Sequence, residues 1–257
     1  MQGLEHTVNN TLPLTIGYST LASRAKNIKF LASTSNLVVI QNPDSSALPN
    51  FSGEITVVEL HSRGVAKSRN AAIDHVKSKY LLFGDDDITF NDAGISQAVS
   101  FLESNPDTSI LLMQAIDESG KLRKSYPTNG CALKLTNSAK AATYEMMIRV
   151  ADIKKNGIRF DENFGAGAPN YLGDEYIFIA DAIRSGLNGK FEPITIAIHP
   201  SESSGSLRNS SSDRAARAKI FSRVFGVWAP LMRLLFLIKP PFKKFGIVNS
   251  LLFIFGK

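Results

Sequence analysis

Five short apolar runs, separated by stretches with other periodicities, constrain this chain more than any other feature. They are LTIGY (residues 14–18), LVVIQN (37–42), ITVVEL (55–60), YLLF (80–83) and SILLMQ (109–114). Each is rich in Val, Ile or Leu and continuously apolar, as strands buried on both faces are. Helical stretches fall between them, the clearest at 66–76 and the next at 93–102. Strands alternating with helices predict an α/β fold with a mostly parallel sheet. After residue 114 the pattern loosens. SGK (119–121) reads as a turn, and YEMMIRVADIKKNG as a strand or helix stopped at Gly157. A long Gly-rich loop spans 161–173, and loops of that length inside a domain are functional or disordered. A helix stopped at Gly186 and a last strand, ITIAIHP, complete the pattern. No linker interrupts residues 1–212, which are expected to form one domain.

The 257 residues are 44% hydrophobic, enough for a sizeable core. A single cysteine, Cys131, excludes an internal disulfide framework and fits a reducing compartment. No basic-then-apolar secretory pattern opens the chain. The net charge of +6 is a poor average. Nine Lys or Arg and no acidic residue lie from Arg214 to Lys257, which leaves 20 basic against 23 acidic residues in the remainder.

The run YLLF is followed by Gly84 and then by Asp85, Asp86 and Asp87. Adjacent carboxylates raise one another's pKa unless a cation neutralises them. They also disfavour strand pairing, so they mark a strand-to-loop junction. In open α/β sheets ligands bind beyond the carboxyl ends of the strands. Carboxylates there suit Mg²⁺ or Mn²⁺, hard ions that share phosphate ligands. In an extended segment Asp85 and Asp87 share one face and Asp86 takes the other. A solvated acidic turn is the alternative that the triplet alone leaves open.

The triplet has company. RGVAKSRNAAIDHVKSKYLLFGDDD resembles the donor-binding half of family 2 glycosyltransferases through Gly64, Val65, Ala66, Ser68, Arg69, Asn70, Ala72, Ile73, Tyr80, Leu81, Phe83 and the three aspartates. FDENFGAG, followed by Gly173, Asp174 and Glu175, is similar to that family's acceptor-side pattern. The resemblance runs from about residue 14 to 204. It implies a GT-A (Rossmann-like) domain, a nucleotide-sugar donor, a divalent metal (Mn²⁺ or Mg²⁺) and an inverting displacement. On the same resemblance, Arg69, Asn70, Asp85 and Asp86 hold the donor, and Asp87 and Asp85 the metal. His199 is a further metal-ligand candidate. The family's acidic turn after the second strand has Asp44 as its counterpart, for donor recognition. A carboxylate opening the acceptor-side helix acts as base. The order here is Asp then Glu where the family more often has Glu then Asp, and position favours Glu175 with Asp174 as its partner. The planar fork of Arg69 suits phosphate on chemical grounds alone.

Residues 213–257 interleave large apolar residues with Lys and Arg. The run 224–238 falls short of the ~20 apolar residues a membrane span needs. A basic amphipathic helical tail is expected, lying on a membrane surface with Trp228 as an anchor; packing on the catalytic domain is the alternative. The basic residues lack a nucleic-acid recognition pattern. Together these readings place the protein in the cytoplasm at the inner face of the cell membrane, acting on a sugar or lipid-linked sugar acceptor. A nucleotidyltransferase and a catalytically silent partner scaffold are the competing functions. The first lacks a Gly-rich, Lys-containing phosphate loop.

Overall fold

The computed structural model describes residues 12–200, 211–238 and 246–256. The first eleven residues, the end of the family resemblance at 201–204, and tail lysines Lys239, Lys243 and Lys244 lie outside them. A nine-stranded sheet forms the centre, in the order β3-β2-β1-β4-β8-β6-β9-β5, with β7 also on β9. The strands β1 (Leu14–Leu21), β2 (Ser35–Gln41), β3 (Ile55–Leu60) and β4 (Tyr80–Asp85) are mutually parallel. So are β6 (Thr108–Ile116) and β9 (Asn188–Ile198). The short β8 (Met146–Arg149) inserts antiparallel between β4 and β6. The two-residue strands β5 (Thr89–Phe90) and β7 (Cys131–Ala132) run antiparallel to β9. The expected mostly parallel α/β sheet is therefore present.

Side chains alternate between faces along each strand, and each face has its own core. Leu14, Ile16, Tyr18, Tyr80 and Leu82 pack with Ile95 and Leu102 of α2 (Asp92–Ser104). Leu37, Val39, Leu81 and Phe83 pack with α1 (Val65–His75) and α4 (Asp174–Arg184). On β1 the residues facing α1 are small, Thr15, Gly17 and Ser19. A Cβ at Gly17 would already stand 3.0 Å from Leu81 and 3.1 Å from Ala72. The YEMMIRVADIKK segment resolves into both of its options, β8 and then α3 (Val150–Lys155). One expectation fails. The run ITVVEL is not buried on both faces, because β3 is the sheet's edge and Val57 is 41% exposed.

The tail does two things. Helix α5 (Ser211–Phe225) lies on α4, with Ile220 and Val224 buried among Phe164, Tyr176, Ile177 and Ala180. Helices α6 (Ala229–Ile238) and α7 (Ile247–Ile254) fold back on α5 through Phe221, Ala229, Phe236 and Phe253. The expectation of a segment too short to span is corrected on length and composition. The helical stretch Asp213–Ile238, 26 residues, meets both criteria once α5 is counted with α6. Its first half is engaged with the domain, and a 3₁₀ turn at Gly226, with φ 53°, separates the halves.

Candidate active site

The carboxyl ends of β1, β2 and β4 open on a cleft of about 750 Å³, within the range of ligand sites. Asp85, Asp86 and Asp87 line it from one side, Asp174 and Glu175 from another, and Arg69, Tyr144 and His199 complete the wall. Residues some 90 positions apart meet here through an aromatic contact. Phe83, two residues before Asp85, stands edge-on to Phe160 at 5.2 Å, and Phe160 stacks on Phe178 of α4 at 4.3 Å. Burying rings of this size is worth roughly 1.5–3 kcal/mol each, enough to fix the acceptor-side loop against the triplet's strand.

Arg69 is the hinge of the site. Its side chain is 9% exposed, its Nη1 donates to Asp174 Oδ2, and its Nη2 lies 3.6 Å from Asp85 Oδ1. The guanidinium carbon also lies 5.7 Å over the Phe160 ring. Burial disfavours the charge on Arg69, but Asp174, Asp85 and Glu175 outweigh it, so its pKa is raised. Burial raises Asp85 as well, against the pull of Arg69 and with the push of Asp87 and Asp86.

The triplet divides its labour. Asp85 is the last residue of β4 and pairs in register with Ser19. Asp86 is buried and turned toward β1, where it accepts from Thr20 Oγ1 at 2.6 Å and is ion-paired to Arg24. Asp87 is exposed, with Arg24 Nη2 at 3.4 Å. Gly84 before them has no room for a side chain, since a Cβ would sit 2.8 Å from the Tyr18 ring.

Asp174 and Glu175 open α4. Asp174 is buried on Arg69, while Glu175 is less buried and lines the cleft. Burial first, and then the Asp174 charge, push the Glu175 carboxyl up to about 8, against the opposing effect of Arg69. The helix begins at Gly173, whose φ of 90° is a conformation that favours glycine. A Cβ there would stand 2.3 Å from Cδ1 of Ile220, so the tail helix packs directly beneath the start of α4. His199 donates from Nδ1 to the Pro200 carbonyl at 2.8 Å. A carbonyl only accepts, so Nδ1 carries the proton and Nε2 keeps a free lone pair.

Two expected residues stand elsewhere. The Asn70 side chain is committed to the loop: it donates to the Phe160 carbonyl at 3.0 Å and accepts from the Phe160 N–H at 2.8 Å. Asp44 is 77% exposed on the turn after β2 and has Arg63 Nη2 at 3.8 Å; of the two, Arg63 lines the cleft. Sequence reasoning missed Thr20, Arg24, Gln41 and Tyr144, all of which line it. The rule that ligands meet the ends of parallel strands could have flagged Thr20, Arg24 and Gln41. Tyr144 carried no local signal, because a return of the chain between β6 and β8 brings it in.

Among the described residues, no three or more His, Cys, Asp or Glu side chains converge to hold an ion. The donor chemistry nonetheless suits a hard cation. It offers the Asp85 and Asp87 carboxylates and the Nε2 of His199, while Arg24 is ion-paired to Asp86 Oδ1. Mg²⁺ is commonly held by one or two carboxylates plus substrate phosphates, and this set fits such an ion.

The sheet order and the site on its strand ends define a GT-A fold. Solved structures of S. aureus TarS share it. Full TarS has a TM-score of 0.54 at 13% identity, over 94% of this chain and 42% of that one. TarS 1–349 in complex with UDP-GlcNAc gives 0.55 at 13%, over 94% and 70%, and its UDP complex 0.54 at 14%, over 94% and 69%. This chain thus spans under half the length of full TarS. No curated protein matches it in sequence. Within this class, residues 32–154 match the model of glycosyl transferase family 2, the family that the motifs resemble.

Proposed function

We propose that the protein moves a sugar from a nucleoside-diphosphate donor to an acceptor hydroxyl, with inversion and with a divalent metal, in surface polysaccharide or glycolipid synthesis. One observation carries the reading: Arg69 links the aspartate triplet to the Asp174–Glu175 pair across a single cleft. Transfer needs charge neutralised on the departing diphosphate and a proton taken from the acceptor. The two carboxylate groups are separated in chemistry as those tasks require.

Glu175 is the base. Its raised pKa makes it a stronger proton acceptor than an ordinary carboxylate once ionised. Asp174 raises it, and Arg69 holds Asp174 in place. Asp85 and Asp86 frame the donor, with Arg69, Arg24 and Arg63 available to its phosphates. Gln41 lines the cleft at the end of β2, whereas Asp44 does not. Asp87 and Asp85, assisted by His199, would hold the metal, which supplies Lewis-acid stabilisation of the leaving diphosphate. The loop at 161–173 excludes water from the reacting carbon.

A membrane role rests on the hairpin of α6 and α7. Val227, Trp228, Ile238, Val248, Leu251 and Phe255 are each at least half exposed, in the part of the chain with nine basic and no acidic residues. An anionic lipid surface suits both features. It would set the enzyme at the inner face of the cell membrane, next to a lipid-linked acceptor.

The test is turnover. UDP-GlcNAc, bound in the TarS complex, and other nucleotide sugars are offered with Mn²⁺ or Mg²⁺ and a panel of acceptor glycans and glycolipids. Release of nucleoside diphosphate that requires acceptor supports the reading; no release from any donor refutes it. Wild-type binding to anionic vesicles that survives Trp228→Ser with Leu231→Ser refutes the hairpin contact.

A further inference from the structure

Arg223 of α5 is the one tail residue among the described ion pairs that joins the start of the acceptor-side loop to α4, the helix after it. Its Nε donates to Asp161 Oδ2 at 2.9 Å, where the loop begins. Its Nη1 and Nη2 donate to Asp181 Oδ1 and Oδ2 at 3.0 and 2.7 Å, on the helix that the loop leads into. Asp181 lies seven residues beyond Asp174, two turns along the same side of α4. The fork is bidentate, the geometry that gives guanidinium–carboxylate pairs their specificity. One turn earlier on α5, Ile220 sits beneath Gly173, the residue before Asp174. The inner side of the same loop is fastened separately, by Asn70 on Phe160 and by Arg69 on Asp174.

We infer that Arg223 is a positioning residue for Glu175: by tying Asp161 to Asp181 it closes the loop at 162–173 and fixes the first turn of α4. Were this an ordinary surface ion pair, losing it would change stability slightly and the chemistry not at all. Three features argue otherwise. The guanidinium uses all three of its nitrogens, it joins two elements rather than one, and both elements lead to the catalytic carboxylates. The C-terminal segment thereby becomes part of the active site, whatever it does at a membrane. The inference rests on the assignment of Glu175 as base but extends it to a residue outside the cleft.

The experiment compares wild type with Arg223→Ala and Arg223→Lys in the full chain. Three readouts are used: amide hydrogen exchange, the Glu175 titration by carboxyl ¹³C NMR, and turnover of UDP-GlcNAc. In Arg223→Ala, exchange is expected to rise in 162–173 and the first turn of α4, and to stay unchanged in α1 and β4. The Glu175 midpoint is expected to fall, because a looser loop admits water to a carboxyl that burial had raised. Misplacing a catalytic group by ~1 Å costs on the order of a hundredfold, so kcat should fall about ten- to a hundredfold with UDP affinity unchanged. Arg223→Lys, which keeps the charge without the fork, should fall between the two. If Arg223→Ala does not fold, the same comparison is made on Arg223→Lys. Unaltered loop exchange with an unaltered Glu175 midpoint overturns the inference. Should wild type fail to turn over any nucleotide sugar, the functional reading falls, while exchange and NMR still decide the positioning role.

Discussion

Arg69→Met isolates the energetic centre of the site. Methionine keeps an apolar stem beside Phe160, so the substitution removes charge more than packing. What it leaves is Asp174, 5% exposed at its side chain and buried with no counter-charge. Breaking a buried ion pair by deleting one partner costs about 3–5 kcal/mol. Asp85, 35% exposed and 3.6 Å away, adds little, since pairs open to solvent contribute ~0–1 kcal/mol. For a chain of this size each kcal/mol moves Tm by about 2–4 °C, so the variant should melt roughly 6–20 °C below wild type at pH 7.5. Adding Asp174→Asn removes the orphaned charge, and most of the loss should return. Calorimetry or urea melts on the four members of the cycle measure this directly. Strict additivity would refute the reasoning, since it would mean that Asp174 gains nothing from Arg69. Arg69 also opposes the upward shift of Glu175, so any residual turnover should move to higher pH.

Other consequences are separable. Glu175 must lose its proton to act, and its pKa is raised to about 8, so kcat should climb through neutral pH and level off above about 8. Glu175→Gln should lose turnover by roughly 10²–10⁴ with donor affinity retained, which calorimetric titration of UDP checks. The same shift works against folding: a carboxyl whose folded pKa lies above its unfolded value destabilises the fold once pH exceeds the unfolded value. Glu175→Gln should therefore melt above wild type at pH 8.5 and converge with it near pH 4. Asp87→Ala should remove the dependence of turnover on Mn²⁺ or Mg²⁺ concentration, and a metal titration indistinguishable from wild type would exclude Asp87 as a ligand. Gly173→Ala should lose about 2–5 kcal/mol, from ~1–2 for the left-handed backbone and ~1–3 for overlap with Ile220. Partial recovery with Ile220→Ala, read from urea midpoints, checks the steric share.

The elements legible in the sequence were those whose apolar pattern is continuous. β1, β2, β4 and β6 are such runs, and ITVVEL has the bounds of β3, although its burial was misread. An edge strand and a central strand can carry the same Val and Ile content, because what separates them is the neighbour they lack. β5 and β7 escaped notice for another reason: two residues carry no period, and only their pairing with β9 defines them. At the site, Asp85, Asp174, Glu175 and Arg69 were legible because short motifs hold them. Arg24 and Arg223 were not. Each takes its role from a carboxylate at least 42 positions away in sequence, and a charge on a helix or loop gives no local sign of which one it will meet.

Strand alternation places Asp85 and Asp87 on one ligand face only if the chain stays extended through Asp87. β4 ends at Asp85, and the chain turns at once. Asp86 still faces the protein, where Thr20 and Arg24 receive it, and all three line the cleft. The turn changes what each carboxylate experiences. Burial raises the pKa of Asp85, yet the two carboxylates are comparably open, 35% exposed at Asp85 and 44% at Asp87. Each also has a guanidinium beside it, Arg69 at 3.6 Å from Asp85 and Arg24 at 3.4 Å from Asp87. A cation bound between them would therefore compete with an arginine at either carboxylate. On the proposed assignment, Arg69, which contacts both Asp85 and Asp174, is what would couple a bound donor to the base at Glu175.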